Sequence, residues 1–406
     1  MTTPEDRALH RRWLHDLTPI PTAAGREFRV IAWIEEWAAT RPEVRLERDG
    51  AGNLTLRLAH APTDAGPPLY FTAHMDHPGF VVERIVAPGV VQMSFRGGVM
   101  DAYFRGARVE VYDTADRRHA GVVSGPADAP GPFKQWLCEV EGRWDLKVGD
   151  VGIWALPAPE ERDGLFHALA CDDLAALAGA LGAFDVLRRE GPVRDVRLLL
   201  TRAEEIGFVG AIAACRLGTI PAGSTVIALE NSRSFAESPI GGGPIVRVGD
   251  RLSIFTPRLT DAVARRAEEI AQGTLTRSNV VSSADRTWRW QRKLMAGGAC
   301  EASVFCDAGF DATCVCLPLG NYHNMGDLAA VEARTNDRPP TIEREFIATA
   351  DFEGMVDLLI ECGRGLPTEG SHAARFARLY DERRFVLEDR VGEAPRSGGA
   401  SAASAR

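Results

Sequence analysis

Asp195-Val196-Arg197-Leu198-Leu199-Leu200 is followed, two residues on, by Ala203-Glu204-Glu205-Ile206-Gly207. An apolar run of strand length that ends on paired carboxylates and a glycine reads as a buried strand delivering acids to a sheet edge. The same arrangement recurs. Pro68-Leu69-Tyr70-Phe71-Thr72 leads into Ala73-His74-Met75-Asp76, and Ser224-Thr225-Val226-Ile227-Ala228 leads into Leu229-Glu230-Asn231. Ala312-Thr313-Cys314-Val315-Cys316-Leu317 precedes Asn321-Tyr322-His323-Asn324, and Cys171-Asp172-Asp173 opens a helical stretch. Short apolar runs alternating with amphipathic segments predict an α/β domain, a mixed central sheet with helices on both faces. Ligands of such sheets collect at the carboxyl ends of the strands, where all five motifs fall.

Outward from these runs, helices are expected at about 4–17, 25–39, 173–189, 209–217, 259–271 and 342–362, with strands ending near Thr201 and Glu230. The stretch 78–163 differs from its flanks, being dense in Gly, Pro and short β-rich runs such as Ala107-Arg108-Val109-Glu110-Val111-Tyr112. It reads as a small barrel inserted into the α/β domain. The expected organisation is a discontinuous catalytic domain (1–77 and 164–365), an inserted β-rich domain (78–163) and a C-terminal extension (366–406). The Ser/Ala/Gly-rich end from Ala394 is expected to be disordered.

With 406 residues, 45% hydrophobic and 25% charged, the chain has ordinary globular composition. A net charge of −9 argues against nucleic acid as a partner. Eight scattered cysteines show no disulfide spacing, and no apolar stretch is long enough to span a bilayer. The start of the chain lacks a signal-peptide pattern, so a cytoplasmic location is expected.

Each motif has a plain structural reading as well as a chemical one. His74 and Asp76 share one side of an extended chain, which suits a hydrogen-bonded histidine or a metal ligand with its orienting acid. Asp172-Asp173 could cap a helix, yet one aspartate suffices for that, and a second carboxylate can bridge two cations. Glu204-Glu205 could be a solvated helix start. As chemistry, the pair divides labour between a metal ligand and a general base. Glu230 ends an apolar strand and requires a partner, an arginine or a cation. His323 alone reads as a loop histidine. Two histidines and several carboxylates at one sheet edge together predict a metallohydrolase with two divalent ions. Zn²⁺ is the first expectation, with Co²⁺ and Mn²⁺ suited to the same donors. Cys314 and Cys316 share a strand face, and buried thiols are the commoner reading of that spacing. His77 and His167 lie near the candidate ligands in sequence and read as supporting or incidental. Gly241-Gly242-Gly243 reads as a turn.

The order His-x-Asp, Asp-Asp, Glu-Glu, acid, His resembles the co-catalytic dizinc exopeptidases. The β-rich insertion between His74 and Asp172 narrows this to the glutamyl and deblocking aminopeptidases that form tetrahedral dodecamers. Asp49-Gly50-Ala51-Gly52-Asn53-Leu54 and Gly242-Gly243-Pro244 are similar to stretches of that family, and the similarity covers most of residues 8 to 365. The resemblance implies an aminopeptidase of peptide substrates, homo-oligomeric as a dodecamer, in which Asp172 bridges both metals. His74 and Glu230 would complete one metal position, and Glu205 and His323 the other. Glu204 would be the general base, and Asp76 would orient His74 or tune its metal. A cis peptide after Asp172 is also implied. His77-Pro78, Leu174, Glu230, Asn324 and Gly297-Gly298-Ala299-Cys300-Glu301 depart from the family pattern. These departures keep open a deacylase of small N-acyl amino acids, and a non-enzymatic metal-binding scaffold is the remaining rival.

Overall fold

The computed structural model describes residues 2–60, 66–142, 144–191, 194–272, 288–367 and 373–387. Eight strands form one sheet in the order Val44–Arg48, Leu54–Leu58, Val196–Thr201, Leu69–His74, Thr225–Arg233, Asp311–Leu319, Ile245–Asp250, Gln291–Met295. The four central strands, Val196–Thr201 to Asp311–Leu319, run parallel, so their carboxyl ends share one edge. Their residues are almost all buried, as expected of strands covered on both faces.

One face is covered by Leu174–Glu190, with Pro4–Leu17 and Thr349–Arg364 packed beside it. Leu174–Glu190 is apolar around most of its circumference and is buried from Leu174 to Leu187. Gly179 permits its close approach to Thr349–Arg364, since a Cβ there would lie 2.9 Å from Met355 Cε. Pro4–Leu17 starts with a capping box in which Thr3 Oγ1 accepts from Asp6 N (3.1 Å) while Asp6 Oδ2 accepts from Thr3 N (3.1 Å). On the other face, Ala211, Ala214 and Phe305, from Val209–Leu217 and Glu301–Asp307, pack on Tyr70, Leu199, Val226 and Ala312.

Residues between Gly79 and Trp154 form a closed six-stranded antiparallel barrel. Its interior is aromatic: Phe80, Phe95, Phe104 and Trp154 meet edge-on or tilted, and Trp136 stacks on Phe104 at 4.2 Å. A third, three-stranded sheet joins Glu160–Arg162, Leu165–Ala168 and Glu345–Ala348.

Three expectations need correction. The strand expected to end at Glu230 continues to Arg233, because it pairs with Asp311–Leu319 along its whole length. The helix expected from Ile342 starts at Thr349, because Glu345–Ala348 is drawn into pairing with Leu165–Ala168. The helix expected from Gly25 starts at Phe28. Residues 394–406 lie outside the described residues. The contacts divide the chain into Met1–Leu366 and Pro367–Arg406, and within the second the described part is helical over Ala373–Arg383. All eight cysteines are free thiols, and no described helix is long and apolar enough to cross a membrane.

Candidate metal centre

Register brings the motifs together. His74 ends its strand opposite Thr201, so Glu204 and Glu205 leave the sheet beside it. Glu230 lies one strand over, in register with Cys316 of the strand that leads to His323. Asp172 precedes the helix Leu174–Glu190 and is joined to Asp173 by a cis peptide bond. His323 sits in a tight turn, with Asn321, His323 and Asn324 all at left-handed φ (52°, 55° and 63°).

The side chains converge. His74 Nε2 is 3.3 Å from Asp172 Oδ1, and His323 Nε2 is 3.5 Å from Asp172 Oδ2, so Asp172 turns one oxygen toward each imidazole. Glu205 Oε1 is 3.4 Å from His323 Nε2, and Glu204 Oε2 is 3.9 Å from His74 Nε2. His74, Asp172 and Glu205 can meet one ion, and so can His74, Glu204 and Glu230. His74 Nε2, Asp172 Oδ1, Glu205 Oε1 and Glu230 Oε2 are buried without a hydrogen-bond partner. Orphaned donor atoms of imidazole and carboxylate type, facing one another in a dry pocket, fit divalent cations.

A surrounding set of groups fixes these side chains. His74 Nδ1 meets the Asp76 carbonyl oxygen at 3.1 Å, whereas the Asp76 carboxylate is 3.6 Å away. That carboxylate instead accepts from the amides of Glu204 (3.0 Å) and Glu205 (3.1 Å). Asp76 thus aims the Glu-Glu pair with its side chain and His74 with its backbone. Asp173 makes no cap for the helix it precedes; its Oδ2 accepts from His74 N at 3.1 Å.

Sequence reasoning missed three carboxylates. Buried Glu27 accepts from the Ala203 amide at 3.0 Å and from Arg202 Nε at 2.8 Å. Glu345 accepts from the amides of both Asp172 (3.0 Å) and His323 (2.8 Å). Glu301, within Coulombic reach of His74 and Asp76, is pushed up to about 7 by burial. Their long sequence separation from the motifs left no local signal. His77 contacts the Asp172 carbonyl oxygen at 2.5 Å and Asn324 Oδ1 at 2.9 Å, which ties together two positions that depart from the family pattern. His167 packs on Phe346. Cys316 accepts from Arg247 Nε at 2.9 Å.

The electrostatics follow from burying so many acids. Burial disfavours charge on His74, yet Glu204 and Asp173 nearby raise its pKa well above the ordinary value. His323 is raised likewise against burial by Glu205 and Asp172. Burial raises Glu204, and Glu205 and Glu301 add to it. Burial also raises Glu230, with Asp172 and Glu204 adding. For Asp172, burial is outweighed by the two imidazoles, which hold it below the ordinary range.

A cavity of about 510 Å³ opens beside Glu230, lined among others by Ser232, Arg247, Lys293, Tyr322 and Leu328. Arg247 is 3% exposed and has no carboxylate partner among the described residues; against burial, Cys314 and Arg247 together bring the Cys316 thiol down to about 6.

Comparison with known proteins gives two family models. Peptidase family M20/M25/M40 matches residues 149–376, and M42 glutamyl aminopeptidase matches residues 52–128. No curated protein sequence matches the chain. Among solved structures, an aminopeptidase from the archaeon Desulfurococcus kamchatkensis is 20% identical, with a TM-score of 0.69 over 88% of this chain and 95% of that one. A TET aminopeptidase from a marine-sediment Thaumarchaeota archaeon is 18% identical, with a TM-score of 0.69 over 88% and 96%. The TET1 peptidase of Pyrococcus horikoshii, which can assemble into a tetrahedron or an octahedral shell, is 20% identical, with a TM-score of 0.67 over 87% and 99%. The fold is theirs.

The raised groups bind protons more tightly folded than unfolded, so their stabilisation weakens as pH rises. For His74 and His323 it is complete below about pH 6.5 and lost as pH climbs through their higher folded values. Glu204 and Glu230 act in the same direction from about pH 4.5 upward. Asp172 acts oppositely, and only at acid pH. Chelator-treated protein is therefore expected to melt at a higher temperature at about pH 6 than at about pH 8. A melting temperature that rises across that window would contradict these shifts.

Proposed function

Since the chain belongs to peptidase family M20/M25/M40, we propose that it is a metallo-aminopeptidase that removes N-terminal residues from peptides at a two-metal centre. The observation that carries this is the cluster of orphaned donor atoms on His74, Asp172, Glu205 and Glu230. Asp172 would bridge two positions, His74 and Glu230 completing one, Glu205 and His323 the other. Divalent cations bound there, Zn²⁺ foremost and Co²⁺ or Mn²⁺ as alternatives, would polarise the scissile carbonyl and acidify the attacking water.

The chain's own groups do the rest. Glu204, which this assignment keeps free of the metals although it stands among the groups that could meet an ion, lies 3.9 Å from His74 Nε2. Its carboxylate takes a proton from the attacking water and returns it to the leaving amine. Asp76 holds the Glu204 and Glu205 amides, so base and ligand move as one unit. The acids around the pocket receive the substrate's free ammonium group, and the cavity beside Glu230 receives the first side chain. The buried, unpaired Arg247 in that cavity favours an acidic first residue. The fold shared with tetrahedral peptidases supports a homo-oligomer, with the barrel as its assembly surface. A deacylase of small N-acyl amino acids is the second reading. The unpaired Arg247 favours it too, since such substrates end in a free carboxylate.

Elemental analysis is expected to find about two divalent ions per chain. Glu204→Gln should keep that content and lose about 10³-fold in kcat; full activity in this variant would remove the base assignment. Arg247→Gln is expected to lower kcat/KM for a glutamyl anilide by about 10²-fold relative to a leucyl anilide. Equal losses on both substrates would show that Arg247 does not select. Turnover of N-acyl amino acids, with no release from free-amino peptides, would transfer the function to the deacylase.

A further inference from the structure

Tyr322 precedes His323 in the tight turn, and its ring stacks on that imidazole with centroids 3.8 Å apart and planes at 22°. The ring is therefore fixed by the turn and by one face of His323. Tyr322 also lines the cavity that opens beside Glu230. Glu230 lines the same cavity, so the ring stands between His323 on one side and Glu230 on the other. Two other tyrosines spend their hydroxyls on protein acceptors, Tyr103 on the Gly326 carbonyl (2.7 Å) and Tyr112 on Glu110 (2.9 Å). The hydroxyl of Tyr322 donates to no described residue. A phenylalanine would stack on His323 equally well, so the hydroxyl on the cavity wall is the part of Tyr322 that a ligand can use.

We propose that Tyr322 is a catalytic residue whose hydroxyl donates a hydrogen bond to the oxygen of the scissile carbonyl as that oxygen gains negative charge. This rests on the aminopeptidase reading. An ordinary phenol titrates near pH 10, so at neutral pH the group is a donor. The proton stays on Tyr322, and no bond forms or breaks there. A fixed donor acts without reorganising, which is what makes such contacts effective in transition states.

The test is Tyr322→Phe in the metal-loaded enzyme. Expected is a fall in kcat of about 10²-fold, with KM changed less than about threefold. Metal content and chelated-protein melting should match wild type. Calorimetry supplies the readout that does not depend on turnover. A phosphonate analogue of an N-terminal dipeptide should bind about 10²-fold more weakly to the variant, while the free amino acid product binds as before. A kcat within about threefold of wild type would overturn the proposal. So would equal weakening for analogue and product, which marks a packing role. If wild-type protein binds metal and the phosphonate yet cleaves no free-amino peptide, the aminopeptidase reading falls. The analogue comparison then still decides whether the phenol recognises a tetrahedral oxyanion.

Discussion

The site answers to one electrostatic constraint: Asp76, Asp172, Asp173, Glu204, Glu230, Glu301 and Glu345 are all buried near one sheet edge, with His74 and His323 among them to carry compensating charge. An isolated buried carboxylate is expensive, and a cluster of them is tolerable only with protons, cations or donated amides. The fold uses all three. Burial raises the pKa of Glu204 and Glu230, which favours protons on them where no cation is bound. Backbone amides serve Asp76, Asp173 and Glu345. The unpaired atoms left at the centre call for divalent cations.

That division sorts the acids into two kinds. Asp76, Asp173, Glu27 and Glu345 are acceptors for amides of the ligand-bearing segments, so they position other groups. Asp172, Glu205 and Glu230 keep oxygens free and inward-facing. Two carboxylates of identical chemistry thus part company according to whether the backbone has already claimed their lone pairs. The adjacent Asp172 and Asp173 make the contrast sharpest. One presents both oxygens to histidines, and the other gives Oδ2 to the His74 amide and keeps only Oδ1 unpaired.

The sheet was legible because its strands are local patterns, and the residues proposed as ligands stand out by following them. Apolar runs of strand length announce parallel strands, and His74, Glu205 and Glu230 follow such runs within a few residues. The barrel was legible from closely spaced short strands. Glu345, Glu27 and Tyr322 were not. Glu345 lies 173 residues from Asp172 and reaches it only because Glu345–Ala348 joins a small sheet. The same tertiary pairing converted the expected start of the last helix into a strand. At Gly320, next to the His323 turn, a Cβ would sit 2.2 Å from the Phe346 ring, so this junction also forces the chain's route. Asp173 looked like a cap by local rules, and a long-range amide overrode that preference.

The cavity extends the same logic from metal to substrate. A buried guanidinium and an undonated phenol line the space beside Glu230, and among the described residues neither has a carboxylate or carbonyl to satisfy it. Folded proteins pair such groups, and the pairs missing here fall where a substrate would sit. Arg247 is pinned through Nε to Cys316, which leaves the rest of its planar fork toward the cavity; Tyr322 is pinned through its ring to His323. Each is held by one part so that another stays available. Cations satisfy the acids at the centre, and a peptide with an anionic first residue would satisfy the donors at the wall. The site therefore has two sets of unmet polar atoms of opposite character, side by side, as an enzyme that joins metal ions to a charged substrate requires.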